Sequence, residues 1–585
     1  MNKLKTPLKL GGFSKKPVIL KRTAIRKITV KIKKKFKIAS FLTSLLSLSL
    51  SNLVEALKIF IFIIITYFNN KDVDNFGCVL YNCIILMTIL IKNIQLIDGT
   101  GRPPIKADIL IKKEKIYAVG SFPRYKANEI IDGMGAYCSP GFIDIDSDSD
   151  HYLTLFSNPG QKDFLLQGVT SIIGGQCGAS LAPLLYGSLN SIKKWADISK
   201  INVNWHTLKE FFLTMEKFPL GINFGTFVGH TTVKQDLTNN EISRDLSKNE
   251  VRVFNLILER ALKDGAFGIS FGLGYAENQK TSYSEIKTLT EVAAKHKGLC
   301  AIHLRNEKKG LSGSIKEVIA LAKETGAKIL ISHFRPLIGY LKDYQQSLEL
   351  ISENSDKADI YFDIYPFDVS TVLVHSFLPE WLQKENEKTI LKDIETPGLR
   401  EKIIKELPRL KGEETIIINA PKHEYLIGKS LKEFSQNRNL SIAEGLLELM
   451  KLTNFRAVVF YKNISLKKTV ETLTHERAII ASNSACFGEE KVIKPERSYK
   501  TFTKFLELAE KDKILPLEKA IYKITGLPAQ RLGLKDRGLV RENYFADLVI
   551  FKDAEIREVI LNGKRTVKDG QFQNVLVGKI LKQNF

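Results

Sequence analysis

The chain has 585 residues, of which 44% are hydrophobic and 26% charged, with six cysteines and a formal net charge of +23. Those values exclude a disordered polymer and a small disulfide-stapled module, and they allow a large core with more than one domain. Residues 1–86 hold 16 Lys/Arg against 3 acids, a net +13, so only +10 belongs to the other 499 residues and no nucleic-acid partner is expected for the main body.

The first element is a basic, partly hydrophobic extension over residues 1–86. Within it, residues 38–54 (IASFLTSLLSLSLSNLV) are uncharged and Ser-rich, and residues 59–68 (IFIFIIITYF) are apolar, with Glu55 and Lys58 between them. A spanning helix wants about 20 apolar residues, so each half alone is too short. Membrane contact is expected only through residues 38–68. At Met87 the text changes to strand, turn, strand. Two readings stay open: residues 1–86 lie upstream of a true start at Met87, or they anchor the chain to a membrane. The scattered cysteines, with no CxxC pair, fit a reduced, cytoplasmic setting.

Short strands joined by Gly, Pro and Asp turns fill residues 87–139. From residue 140 to 375 short apolar strands alternate with amphipathic helices. Residues 376–452 are a helix-rich, Lys/Glu-rich insertion, lid-like by position. The alternation resumes over 453–534, where FRAVVFY and RAIIASN read as strands, and residues 535–585 return to short strands. Such alternation specifies an α/β body with a parallel sheet, open or closed. The β material at both ends is expected to meet in one small domain.

Three donors sit at strand ends. Cys177 follows VTSIIGGQ, His303 follows GLCAI and His333 follows AKILIS. In a parallel barrel the carboxyl ends of the strands form the active face, and a thiolate with two imidazoles suits one Zn²⁺. In SPGFIDIDSDSDH (139–151), Asp146 and Asp148 are two apart and share a strand face. Carboxylates there are either hard metal ligands or, like Asp150, candidate bases. The segment GISFG (268–272) satisfies G-x-S-x-G with Ser270 as nucleophile, but a loop-like LGYAENQK follows where the elbow needs a helix.

The segments IDGMGAYCSPGFIDID, GGQCGASLAPL (174–184), FVGHTTVK (227–234), GAFGISFGLGYA (265–276), HLRNE (303–307), ISHFR (331–335), YPFDVST (365–371) and RSYKTF (497–502) resemble the N-acyl-D-amino-acid deacylase (D-aminoacylase) family of the amidohydrolase superfamily. The resemblance covers residues 87–575. It implies a TIM-type (β/α)8 barrel with a small β-sandwich, zinc at the barrel mouth, and hydrolysis of the amide bond of an N-acyl-D-amino acid. Residue by residue, it implies Cys177, His303 and His333 as the tight zinc site. Tyr365, Ser370 and Arg497 fall where the family grips the substrate carboxylate, Arg335 stands where it has a lysine, and Tyr275 lines the same pocket. His230 matches a motif without a metal role.

Three positions depart from the family. Its His-x-His is Asp146-x-Asp148, which compromises a second metal site. Its general-base aspartate is Asn483, and Pro495 and Glu496 stand where a histidine is usual. Asn483 and the two aspartates together mark a degenerate base position. The expectation is a weakened deacylase, with two alternatives: a catalytically silent protein that binds an N-acyl amino acid, and a serine esterase at Ser270.

Overall fold

A computed structural model describes residues 88–383, 385–488 and 493–583. The extension over residues 1–86, with its expected membrane contact, lies outside the described residues. Among the described residues no helix is long and apolar enough to cross a membrane.

Eight short segments form the parallel body. In chain order they are Phe142–Asp144, Val169–Gly174, Asn223–Thr226 (continued by Val228–Gly229), Gly268–Gly272, Leu299–His303, Lys328–Ile331, Ile360–Ile364 and Ala478–Ile480. The first three form one parallel sheet, and Val228–Gly229 with the last five forms another. The third and fourth strands are stitched by Phe267 N–H donating to the Thr226 carbonyl at 3.1 Å. Beyond the eighth and first strands, Asn483 N–H donates to the Asp146 carbonyl and Asp148 N–H to the Ser484 carbonyl, both at 2.8 Å.

Side chains alternate faces along a strand, and here the two faces enter different cores. Ile172, Cys300, Ile302, Ile329, Ile331 and Phe362 pack outward against the helices. Their neighbours Ile173, Leu299, Ala301, Leu330 and Ile479 pack together on the other side, with Leu527, Leu532 and Leu581. Both faces are apolar because both are covered. Helices connect successive strands, for example Lys248–Asp264, opened by a Ser247/Glu250 capping box and closed by Gly265 at φ 114°.

Both ends of the described chain build a second sheet. Tyr137–Pro140 pairs antiparallel with Leu548–Lys552, and this pairing joins the strands from either end into one nine-stranded sheet. Where a two-layer sandwich is expected, strand pairing is continuous from edge to edge.

The segment FRAVVFY, expected as a strand of the parallel body, is placed elsewhere. Val458–Lys462 pairs antiparallel with both Val369–Leu373 and Ile416–Asn419 in a three-stranded sheet. The insertion therefore begins with the strand at Val369 and ends with the strand at Lys462, wider than residues 376–452. It has its own core around Val374, Ile417, Leu431, Leu447 and Val459.

One buried carboxylate ties the nine-stranded sheet to the body. Asp547 accepts from Asn562 N–H at 2.7 Å, from Asn223 Nδ2 at 3.1 Å and from Arg537, and its carbonyl accepts from Gly141 N–H at 2.8 Å. Asp547→Ala leaves the Arg537 charge buried and unpaired. We expect it to lower stability by about 3–5 kcal/mol, read as a fall in the urea midpoint.

Candidate functional site

Two of the three candidate ligands, and Asn483, leave their strands through left-handed backbone, while His303 ends its own strand. Cys177, His333 and Asn483, just past the second, sixth and eighth parallel strands, have φ of 51°, 38° and 45°. Such conformations cost about 1–3 kcal/mol each and need the surroundings to impose them. For His333, Asp363 on the adjacent strand accepts its backbone N–H at 2.8 Å. Next to Cys177, a Cβ on Gly178 would lie 2.8 Å from the Gly272 nitrogen, so a glycine is required for that loop to reach the fourth strand.

These bends bring a thiol and two imidazoles together. Cys177 Sγ is 3.3 Å from His333 Nε2, and one donor atom from each of Cys177, His303 and His333 lies within 4.8 Å of the others. All three residues are buried. Glu307 orients them. It accepts from His333 Nδ1 at 3.2 Å, which leaves Nε2 facing the thiol. Its other oxygen stands 3.7 Å from His303 Nε2. His303 Nδ1 is buried with no hydrogen-bond partner. A thiol, an imidazole fixed through its far nitrogen and an orphaned imidazole nitrogen fit a small tetrahedral cation such as Zn²⁺.

The protonation states agree with that fit. Burial, then the neighbouring His303, push His333 down to about 4 against the pull of Glu307, so the ring is neutral. Burial, with Asp146 and Asp148 adding to it, holds the Cys177 thiol well above its ordinary range, so a metal entering the site displaces that proton. Burial opposes ionisation of Glu307, yet Arg335, His303 and His333 hold it well below the usual carboxylate range.

The expected substrate-binding residues surround this cluster. Arg335 donates through Nη2 to both Glu307 oxygens, at 2.8 and 2.7 Å, and through Nη1 to Ser370 at 3.5 Å. Ser370 sits on the insertion strand Val369–Leu373 and donates to Asn463 at 2.7 Å. Arg497 donates to Asn483 Oδ1 at 3.0 Å and lies 5.0 Å from the Tyr365 ring centroid. Arg335 Nε, Arg497 Nε and the Tyr365 hydroxyl are buried without hydrogen-bond partners. Tyr275 stands edge-on to His303 at 4.9 Å with its hydroxyl toward Cys177, and Lys194 Nζ lies 3.2 Å from its ring centroid.

The acidic run has three different environments. Asp146 is fully buried, with Asn483 Nδ2 at 3.4 Å and its other oxygen unpartnered. Burial and the charges of Asp363, Asp148 and Asp144 raise it well above the carboxylate range, so it is a neutral acid. Asp150, raised by burial, accepts from Gly175 N–H at 2.6 Å. Asp148 meets His151 Nδ1 at 3.0 Å. Burial opposes its ionisation, but His151, Arg497 and His333 outweigh burial and lower it.

Sequence reasoning missed Glu307, His151 and Trp195. Glu307 lies four residues after His303 in HLRNE, and His151 closes the acidic run. Trp195 stacks on His151 at 4.4 Å and meets Tyr275 edge-on at 5.9 Å. Ser270 is a backbone clamp: it donates to the Gly175 carbonyl at 2.5 Å and accepts from Gly178 N–H at 3.0 Å. Among the described residues no histidine hydrogen-bonds to it, so the esterase arrangement is not formed. His230 is held by Glu285 at 2.7 Å, apart from the cluster.

No family model matches the chain. It is 26% identical over 476 residues to the D-aminoacylase of Alcaligenes xylosoxydans xylosoxydans, covering 80% of this chain and 89% of that protein. It is 26% identical over 499 residues to the N-acyl-D-glutamate deacylase of the same organism, covering 84% and 92%. The crystal structure of a D-aminoacylase that defines a novel subset of amidohydrolases superposes with a TM-score of 0.70 at 24% identity, over 84% of this chain and 99% of that one. An N-acyl-D-glutamate deacylase from Bordetella bronchiseptica, complexed with zinc and a phosphonate mimic of the tetrahedral intermediate, superposes with a TM-score of 0.70 at 22% identity, over 84% and 99%.

His151 gives a pH signature. Burial opposes its charge, but Asp150 and Asp148 raise it to about 9. A histidine raised from about 6.5 stabilises fully below pH 6.5, and that contribution is lost as pH rises towards 9. Wild type should lose on the order of 2–4 kcal/mol across that window. In His151→Gln the decline should flatten, as followed by urea unfolding at pH 6 to 9.5.

Proposed function

We propose that this chain, a relative of the N-acyl-D-amino-acid deacylases in the amidohydrolase superfamily, hydrolyses the amide bond of an N-acyl-D-amino acid at a single zinc centre. The observation that carries this reading is the convergence of Cys177, His303 and His333 within 4.8 Å, at strand ends of a fold shared with deacylases. We read the two parallel sheets as one closed (β/α)8 barrel. The stitches between third and fourth and between eighth and first strands, and the division into inner and outer cores, support closure. The nine-stranded sheet, folded over its own core of Ile91, Ile111, Cys138 and Leu548, is read as the β-sandwich of residues 87–139 and 535–585. Residues 140–368 and 463–534 then make the barrel, and 369–462 the lid-like wall. Four described cysteines are free and buried, in keeping with a reducing, cytoplasmic compartment.

When bound, Zn²⁺ supplies Lewis acidity to the amide carbonyl and acidifies a water. The chain's own groups do the rest. Glu307 fixes the His333 tautomer. Arg335, Arg497, Tyr365 and Ser370 bind and orient the substrate carboxylate, with the unpartnered Nε and hydroxyl donors facing it. Tyr275 and Trp195 wall off bulk water at the edge of His303. Asn483 has a carboxamide, which takes up no proton near neutral pH. General acid–base assistance is worth about 100- to 10,000-fold, so turnover is weakened.

The second reading, a silent binder of N-acyl amino acids, is favoured by one observation: both oxygens of Glu307 already occupy Arg335 Nη2. Zinc analysis and hydrolysis of N-acetyl-D-amino acids by the full chain separate the two. The deacylase reading expects one zinc per chain and released D-amino acid, with both lost in Cys177→Ser. Substrate binding without turnover in the zinc-loaded protein establishes the binder instead.

A further inference from the structure

We infer that Asp148 is the proton acceptor of the hydrolysis, in place of the carboxylate missing at position 483, and that His151 is its positioning residue. This rests on the deacylase reading above.

Three carboxylates compete for the role, and their surroundings separate them. Asp150 is a brace: one oxygen is bound to Gly175 N–H at 2.6 Å, and a Cβ on Gly174 would lie 2.6 Å from its carboxyl carbon. Asp146 is fully buried, with Asn483 as its side-chain partner. Asp148 alone of the three is open, with 14% of its side chain exposed. His151 and the carboxylates Asp144 and Asp146 surround it from its own segment, with Arg497, His333, Asp363, Cys177 and Tyr275 from other elements. It therefore stands in electrostatic reach of two of the candidate ligands, Cys177 and His333, while staying ionised.

His151 explains how a carboxylate among carboxylates keeps its charge. Its two ring nitrogens both lie against acceptors, Asp148 Oδ1 at 3.0 Å and the Ala179 carbonyl at 3.1 Å. A neutral imidazole has one N–H, so satisfying both contacts with an ionised Asp148 requires an imidazolium. Trp195 lies nearly parallel to the ring, at 4.4 Å and 10°, a face that favours a cation. The imidazolium occupies Oδ1, and Oδ2 is the oxygen left for the substrate.

The step balances without a further reactant. Water attacks the amide carbon, and the C=O π pair moves onto the carbonyl oxygen until it re-forms the double bond when the C–N bond breaks. As the water oxygen bonds to carbon, one O–H bond breaks and that proton passes to Asp148 Oδ2. The same proton then moves to the amide nitrogen as the C–N bond breaks. The products are a carboxylic acid and a free amino acid, and the acid's proton ends on the amine or in solvent.

The test uses the full chain loaded with zinc and an N-acetyl-D-amino acid. Asp148→Asn should lower kcat at least about 100-fold, with KM within about threefold and zinc stoichiometry unchanged. His151→Gln removes the cation that favours ionised Asp148, so the acidic limb of kcat/KM should move up by about one pH unit or more. Independently of turnover, nitrogen NMR of the metal-free protein at pH 7 should show His151 protonated at both nitrogens, and this should be lost in Asp148→Asn. Retention of more than about a third of kcat in folded, zinc-loaded Asp148→Asn overturns the assignment and leaves the deacylase reading standing. Loss of zinc in that variant makes Asp148 a ligand instead, and a singly protonated His151 removes its positioning role. A wild-type chain that binds zinc and turns nothing over overturns both readings.

Discussion

The carboxylate of Glu307 is the constraint on which the candidate centre depends. Two imidazoles and a guanidinium meet there in a buried space. Without an anion among them, Arg335 would bury an unpaired charge and His333 would be free to turn its other nitrogen to the thiol. With it, His333 presents Nε2 to Cys177, and three strand-end groups share one orientation. Burying an ionised carboxylate costs several kcal/mol unless its hydrogen bonds are made. Here both oxygens make them, to the same guanidinium that lies beside Ser370.

A second balance of charge governs the opposite side. Asp144, Asp146, Asp148, Asp150 and Asp363 crowd the ends of the first and seventh strands. Five ionised carboxylates could not share that volume. The structure resolves the conflict by division: Asp144, Asp146, Asp150 and Asp363 are pushed towards the neutral form by burial, and Asp148 stays charged beside His151 and Arg497. The same Arg497 holds Asn483, which in turn meets Asp146, so one cation serves this whole acidic side.

Much of this was legible from residue order. Short continuous apolar runs marked the parallel strands, and Cys177, His303 and His333 stood out because each ends such a run. The failure at Val458–Lys462 is instructive. VVFYK has the β-branched and aromatic character of a body strand, but its partner Val369–Leu373 is antiparallel and 93 residues away at the Val369–Lys462 pair, and pairing of that kind leaves no local trace. Glu307 and His151 were invisible for a related reason. Their roles come from partners that meet only in the fold: Arg335 and His333 for Glu307, and for His151 the Trp195 ring, 44 residues on, together with Asp148 of its own segment. A lone Glu or His in a motif carries no record of that company.

The insertion between the seventh and eighth strands supplies Ser370 from a sheet with its own core, while the metal-facing residues belong to the parallel body. One proposed recognition group is thus housed in a separately packed part of the chain, while Arg335, Arg497 and Tyr365 stay with the parallel body. Selection or a designer can rework that part as an exchangeable cassette, altering which molecules are accepted, and leave the reacting centre unaltered.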